Sequence, residues 1–140
     1  MLKSINNDAT NILNAISIYK SDFDLPYMHK FPCDCCEIVS YIFAKIIYDK
    51  YPASQILIVE ARDIKDEIHF WVNVNDYVYD LTSHQFSSCS RPIIGATENP
   101  LSSQFSNIKI VTFLIAFKNY DLTQKSKFID SINLLNTHIA

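Results

Sequence analysis

Glycine is nearly absent: Gly95 is the single one in 140 residues. Turns therefore fall to Asn, Asp, Ser and Pro. Basic charge is also short. Twelve Lys and Arg against fifteen Asp and Glu leave a net charge of −3. That argues against a nucleic-acid or anionic-membrane surface, which would carry a basic stripe. Long apolar runs are missing too. The run "IVTFLIAF" has eight residues, where about 20 are needed to span a bilayer. The amino-terminal "MLKSINNDATNIL" has no apolar stretch after its lysine and does not read as a secretory signal. Four cysteines, three of them crowded together, do not form the pattern of a disulfide framework. A reducing compartment is expected. A protein made in one cytosol and delivered into another would look the same.

What is present suits one globular domain over residues 1–140. A chain of this length buries roughly 68% of its unfolded surface, so its core needs no disulfide or metal staple. Ile5, Ala9, Ile12, Leu13, Ile16 and Tyr19 follow helical spacing over 4–20. An irregular stretch with Pro26 and Pro32 follows, and Pro32 biases Phe31 away from helix. A second helix is predicted over 35–50, with Val39, Ile42, Phe43, Ile46 and Ile47 inside. Asp34 and Glu37 have the spacing of a capping box, and Pro52 ends the helix.

Residues 54–62 read as a strand. The runs "EIHFWVNV" and "YVYDLT" read as two more, joined at Asn75-Asp76. Residues 83–106, rich in Ser, Asn and Pro, read as a loop long enough to be a lid. "IKIVTFLIAF" reads as a buried strand. The last segment reads as a helix capped by Thr123, with Phe128, Ile129, Ile132, Leu135 and Ile139 inside. Helices followed by strands imply an α+β fold with an antiparallel sheet.

The hairpin has a chemical consequence. A two-residue loop at Asn75-Asp76 pairs Val74 with Tyr77, Asn73 with Val78, Val72 with Tyr79 and Trp71 with Asp80. His69 shares the face of Trp71, so His69 and Asp80 become diagonal neighbours about 7–8 Å apart in backbone. A carboxylate on one imidazole nitrogen fixes the tautomer and raises the basicity of the other. Cys36, at the start of a helix, is the natural nucleophile. There the unpaired N–H groups and the positive dipole end favour a thiolate and suit a developing oxyanion. Asp34 and Glu37 oppose the thiolate by like charge. Each part has a plainer reading. A helix cysteine is most often a small buried hydrophobe, a strand histidine a satisfied polar group, and Asp80 a turn residue. Jointly they have the order of a Cys-His-Asp thiol enzyme.

The segments "FPCDCCEIVS" and "HFWVNVNDYVYDLTSHQF" resemble the papain-like and transglutaminase-like superfamily. They are most similar to the papain-like deamidase domains of bacterial toxins. There the thiol sits in an FP-x-x-x-C segment opening a helix. The histidine precedes an aromatic residue and a strand, and a D-x-T segment with a glutamine five beyond the Asp follows. The matching positions are Cys36, His69, Asp80 and Gln85, and the resemblance covers 31–86. It implies a papain-like fold, with the nucleophile at a helix start packed on the antiparallel sheet. It implies that Gln85 lends its amide to the oxyanion site, the plainer reading being a loop glutamine with local hydrogen bonds. Cys35 is the alternative nucleophile and, with Trp71, a candidate for the oxyanion or substrate side. Trp71 either shields the pair from water or is simply a core aromatic. One departure stands out: a Gly or small residue is expected just before the thiol, and this chain has Asp34-Cys35.

Three functions follow as expectations. The first is thiol-dependent hydrolysis of protein amides, as glutamine deamidation or as peptide or isopeptide cleavage, with amine transfer left open and no cofactor needed. The second is a papain-like binding or immunity-type module without turnover. The third is a metal site drawn from Cys33, Cys35, Cys36, Cys89 and a histidine. Its C-x-C-C spacing suits zinc poorly, so no metal is expected. The partner expected is a protein substrate, without nucleic acid or membrane. The expected location is the cytoplasm, or another cell's cytosol after delivery as an effector. The oligomeric state is left open.

Overall fold

Asn75 and Asp76 turn the chain with φ of 50° and 71°, the paired positive values that a two-residue type I′ hairpin requires. This fixes the register of the flanking strands, and the rest of the sheet is built on it. The computed structural model describes residues 1–120, 123 and 125–139. Among them are α1 (Leu2–Tyr19), α2 (Cys36–Lys50), α3 (Phe113–Asn119) and α4 (Lys125–Ile139). The strands are β1 (Ile56–Arg62), β2 (Ile68–Val74), β3 (Tyr77–Asp80), β4 (Ile93–Ala96) and β5 (Asn107–Thr112). They form one antiparallel sheet in the order β4-β3-β2-β1-β5. The fold is α+β, as the order of elements implies.

Strand alternation gives the sheet two faces. Ile56, Ile58, Phe70, Val72, Val74 and Tyr79 point one way, into the main core with α1, α2 and α4. Val59, Ala61, Trp71 and Val78 point the other way, into a second core with Cys89, Ile93, Leu101 and Phe105. All five residues of the expected α2 stripe are buried. In α1, Ile5, Ala9, Ile12 and Ile16 are buried, with Leu13 and Tyr19 partly so. Asp8, also buried, accepts hydrogen bonds from Lys50 Nζ and Tyr51 Oη. These tie α1 to the end of α2.

Four expectations need correction. Asp34 is not the cap of α2. Its backbone is left-handed, at φ 62°, Cys35 takes the cap position, and no side chain caps the helix. The stretch read as a buried strand over 108–117 divides. It starts as edge strand β5, with Ile108 and Ile110 exposed, and becomes α3 at Phe113. A continuous apolar run carries no period to separate the two states. Within α4, Ile129 is exposed while Phe128, Ile132 and Leu135 are buried. Residues 83–106 are not a free loop. They hold β4 and two short 3₁₀ turns at 83–85 and 100–103, and they cover the second face. Gly95 in β4 has φ 74°, and a Cβ there would meet the Asn6 side chain. The positive φ is the feature that favours glycine here. The cap expected at Thr123 is separated from the start of α4 by Gln124, which lies outside the described residues, so that expectation falls outside them too.

Candidate active site

The hairpin register observed is Val74 with Tyr77, Asn73 with Val78, and Val72 with Tyr79. It brings the histidine and the aspartate together. His69 Nε2 lies 2.7 Å from Asp80 Oδ2, and both side chains are fully buried. Asp80 is saturated. Its Oδ2 also accepts from Asn99 Nδ2 at 3.0 Å, and its Oδ1 accepts from the Thr82 N–H at 3.2 Å and from Thr82 Oγ1 at 3.5 Å. Asn99 is itself buried, and its Oδ1 accepts from the Leu101 N–H at 2.9 Å. Its amide is therefore held from both ends.

Aromatic rings enclose the imidazole. Phe86 stands perpendicular to it at 4.9 Å between centroids, with Phe105 at 5.5 Å and Trp71 at 5.8 Å. Trp71 is buried in the second core. It forms part of this wall as well as of the core. Burial pulls the imidazole pKa down, but hydrogen bonds and charge from Asp80 and Cys36 outweigh it. The net effect pushes His69 up to about 9.

With Nε2 engaged by Asp80, Nδ1 is the nitrogen left for the thiol. It is buried and makes no full hydrogen bond, while the Cys36 side chain is near enough to raise the ring's basicity. Cys36 is the first residue of α2 and half-buried. The helix start has no side-chain cap, so its first-turn N–H groups are not taken up by one. Asp34, two residues before Cys36, is left-handed, and Asp is among the few residues that adopt this conformation readily. Its carboxylate turns to Lys30 at 3.5 Å, on the surface.

Cys35 differs sharply from Cys36. It is buried in the main core. Burial, then the neighbouring Cys36, Cys33 and Asp34, push its thiol up to about 12. A thiol so held stays protonated at neutral pH and is a poor nucleophile. Gln85 sits in the 3₁₀ turn just beyond Asp80, with its Nε2 buried and without a hydrogen-bond partner. His84, beside it, packs edge-on against Phe31 at 5.6 Å. Its Nδ1 is also buried without a partner, and burial lowers its pKa against the pull of Asp80.

Sequence reasoning missed Asn99, His84, Phe86 and Phe105. Asn99 and Phe105 lie 19 and more residues beyond Asp80, inside a segment whose composition reads as loop. The signal for Asn99 was Asn-Pro, an Asn able to cap the turn that Pro100 begins. A cavity of about 400 Å³ is lined by Glu37, Tyr41, Glu60, Phe70, Lys109 and Tyr120 among others, on the sheet face opposite His69; neither Cys36 nor His69 lines it. Glu37 is raised by burial and by Glu60. Among the described residues, no group of three or more His, Cys, Asp or Glu is placed to hold a metal ion. No helix among them is long and apolar enough to cross a membrane.

No family model matches the chain, and neither a curated protein nor a solved structure matches it.

Proposed function

We propose that the chain is a thiol-dependent amidohydrolase of papain-like fold, acting on protein amides. The observation that carries this reading is the buried His69–Asp80 bond at 2.7 Å, with the second imidazole nitrogen unpaired and Cys36 beside the ring. In this reading His69 takes the Cys36 proton, and the thiolate attacks the amide carbon. The tetrahedral oxyanion meets the first-turn N–H groups of α2 and the Gln85 amide. The imidazolium then protonates the departing ammonia or amine, and water attacks the thioester with His69 as base. Asp80 orients the ring throughout.

The resemblance of Cys36, His69, Asp80 and Gln85 to the toxin deamidases favours a glutamine side chain as substrate. The uncapped helix start and the unpaired Gln85 Nε2 fit the same reading. Action in a cytosol, whether the producing cell's or one reached by delivery, belongs to the same reading. The test is ammonia release from a panel of glutamine-containing proteins and peptides, with peptide cleavage read by mass. Activity that vanishes in Cys36→Ala supports the proposal. Activity that survives this substitution removes Cys36 from the mechanism.

A further inference from the structure

The three clustered cysteines occupy three environments. Cys33 is exposed, Cys35 is in the core and Cys36 is between the two. Cys33 and Cys36 have C-x-x-C spacing, and Cys36 is the first residue of a 15-residue helix. The chain between them bends through two unusual residues, Asp34 at φ 62° and Cys35 at φ −127°, ψ 18°. The Cys33 N–H is anchored on the Lys30 carbonyl at 2.8 Å. Both Cys33 and Cys36 lie close enough to Cys35 to act on it electrostatically. The chain bends at both Cys33 and Asp34; where four residues complete such a reversal their ends come within about 7 Å, and disulfides form at Cα separations of about 4.4–6.8 Å.

We propose that Cys33 is the resolving thiol for Cys36, and that a hydroperoxide converts the pair into a reversible Cys33–Cys36 disulfide that silences the site. This rests on the thiol–imidazole reading above, because the first step needs a reactive Cys36. The Cys36 thiolate attacks one oxygen of the hydroperoxide. An S–O bond forms, the O–O bond breaks, and the leaving oxygen takes the proton from the His69 imidazolium. Cys36 becomes a sulfenic acid, and the hydroperoxide is reduced to an alcohol or water. The Cys33 thiolate then attacks the Cys36 sulfur. The S–S bond forms, the S–O bond breaks, and hydroxide leaves to join the proton lost from Cys33 as water. Two thiols and one hydroperoxide thus give one disulfide, one alcohol (water, if the oxidant is hydrogen peroxide) and one further water.

The environments assign the parts. Exposed Cys33 is open to solvent and to a dithiol reductant. Cys35, buried and protonated, is the wrong partner, and a link between adjacent residues would be strained. Cys89 lies in the second core, with its Sγ 3.3 Å from the Arg91 carbonyl.

The experiment uses the full chain and hydrogen peroxide. Iodoacetamide labelling of Cys36 is followed before oxidation, after it, and after dithiothreitol. Proteolysis before Asp34 separates Cys33 from Cys36, so the fragments stay joined only through a disulfide that uses Cys33. The expected result is joined fragments, loss of Cys36 labelling and its return with dithiothreitol. The link persists in Cys35→Ala. In Cys33→Ser the return is lost, because the sulfenic acid runs on to the sulfinic acid. Rapid labelling of untreated Cys36 without a Cys33 link overturns this proposal and leaves the hydrolase reading standing. Slow labelling of untreated Cys36 overturns both. A Cys33→Ser variant that recovers as fully as the parent overturns the resolving role.

Discussion

His69 Nε2 and Asp80 Oδ2 lie 2.7 Å apart, both fully buried, although 11 residues separate them along the chain. The pair links stability to pH. His69 rises from 6.5 to about 9. Its folded value is above its unfolded one, so the contribution is full below about pH 6.5 and is lost as pH rises through about 9. Urea unfolding midpoints should fall between pH 6 and pH 9.5, and His69→Ala should flatten that fall. An equal slope in the variant would assign it to another group.

Asp80→Asn should keep the fold and slow catalysis on the order of 10³–10⁴-fold, because the amide permits the wrong imidazole tautomer. The alkylation rate of Cys36 at pH 6 should drop with it. An unchanged rate would separate the carboxylate from the thiol.

This pairing was legible in the sequence because a two-residue turn leaves one register, and alternation then puts His69 and Asp80 on one face. Cys36 was legible through the helix stripe that follows it. Asn99, Phe86 and Phe105 were not. They reach the site by tertiary packing of 83–106, and no local period records that. The cap was misread because Asp34 and Glu37 satisfy a local pattern. The chain instead uses Asp34 for a left-handed turn. With a single glycine in the chain, Asn and Asp provide most positive-φ turns: Asp34, Asp66, Asn75 and Asp76.

Asn99 shares Oδ2 of Asp80 with His69. Asn99→Ala removes one of the bonds that aim the carboxylate and the cap of the following turn. Stability should fall by about 1–3 kcal/mol, and Cys36 alkylation at pH 6 should slow. Asn99→Ser restores a cap without reaching Asp80, so it should recover stability more than reactivity. Equal recovery of both would reduce Asn99 to a capping residue.

Gln85 carries a buried amide nitrogen without a partner, and burying such a group costs about 1–3 kcal/mol. Gln85→Met should therefore leave stability unchanged or higher. Amide turnover should fall on the order of 10²–10³-fold if the nitrogen serves the oxyanion. A variant that loses stability and keeps its turnover would make Gln85 a structural loop residue.

The most direct measurement is site-resolved iodoacetamide labelling of native protein from pH 5 to pH 9, with His69→Ala alongside. Rapid labelling of Cys36 at pH 6, slowed by His69→Ala, is the result expected of a thiolate–imidazolium pair. Labelling no faster than that of a free thiol with pKa ~8.5 would contradict the account and favour the reading of the chain as a binding module without turnover.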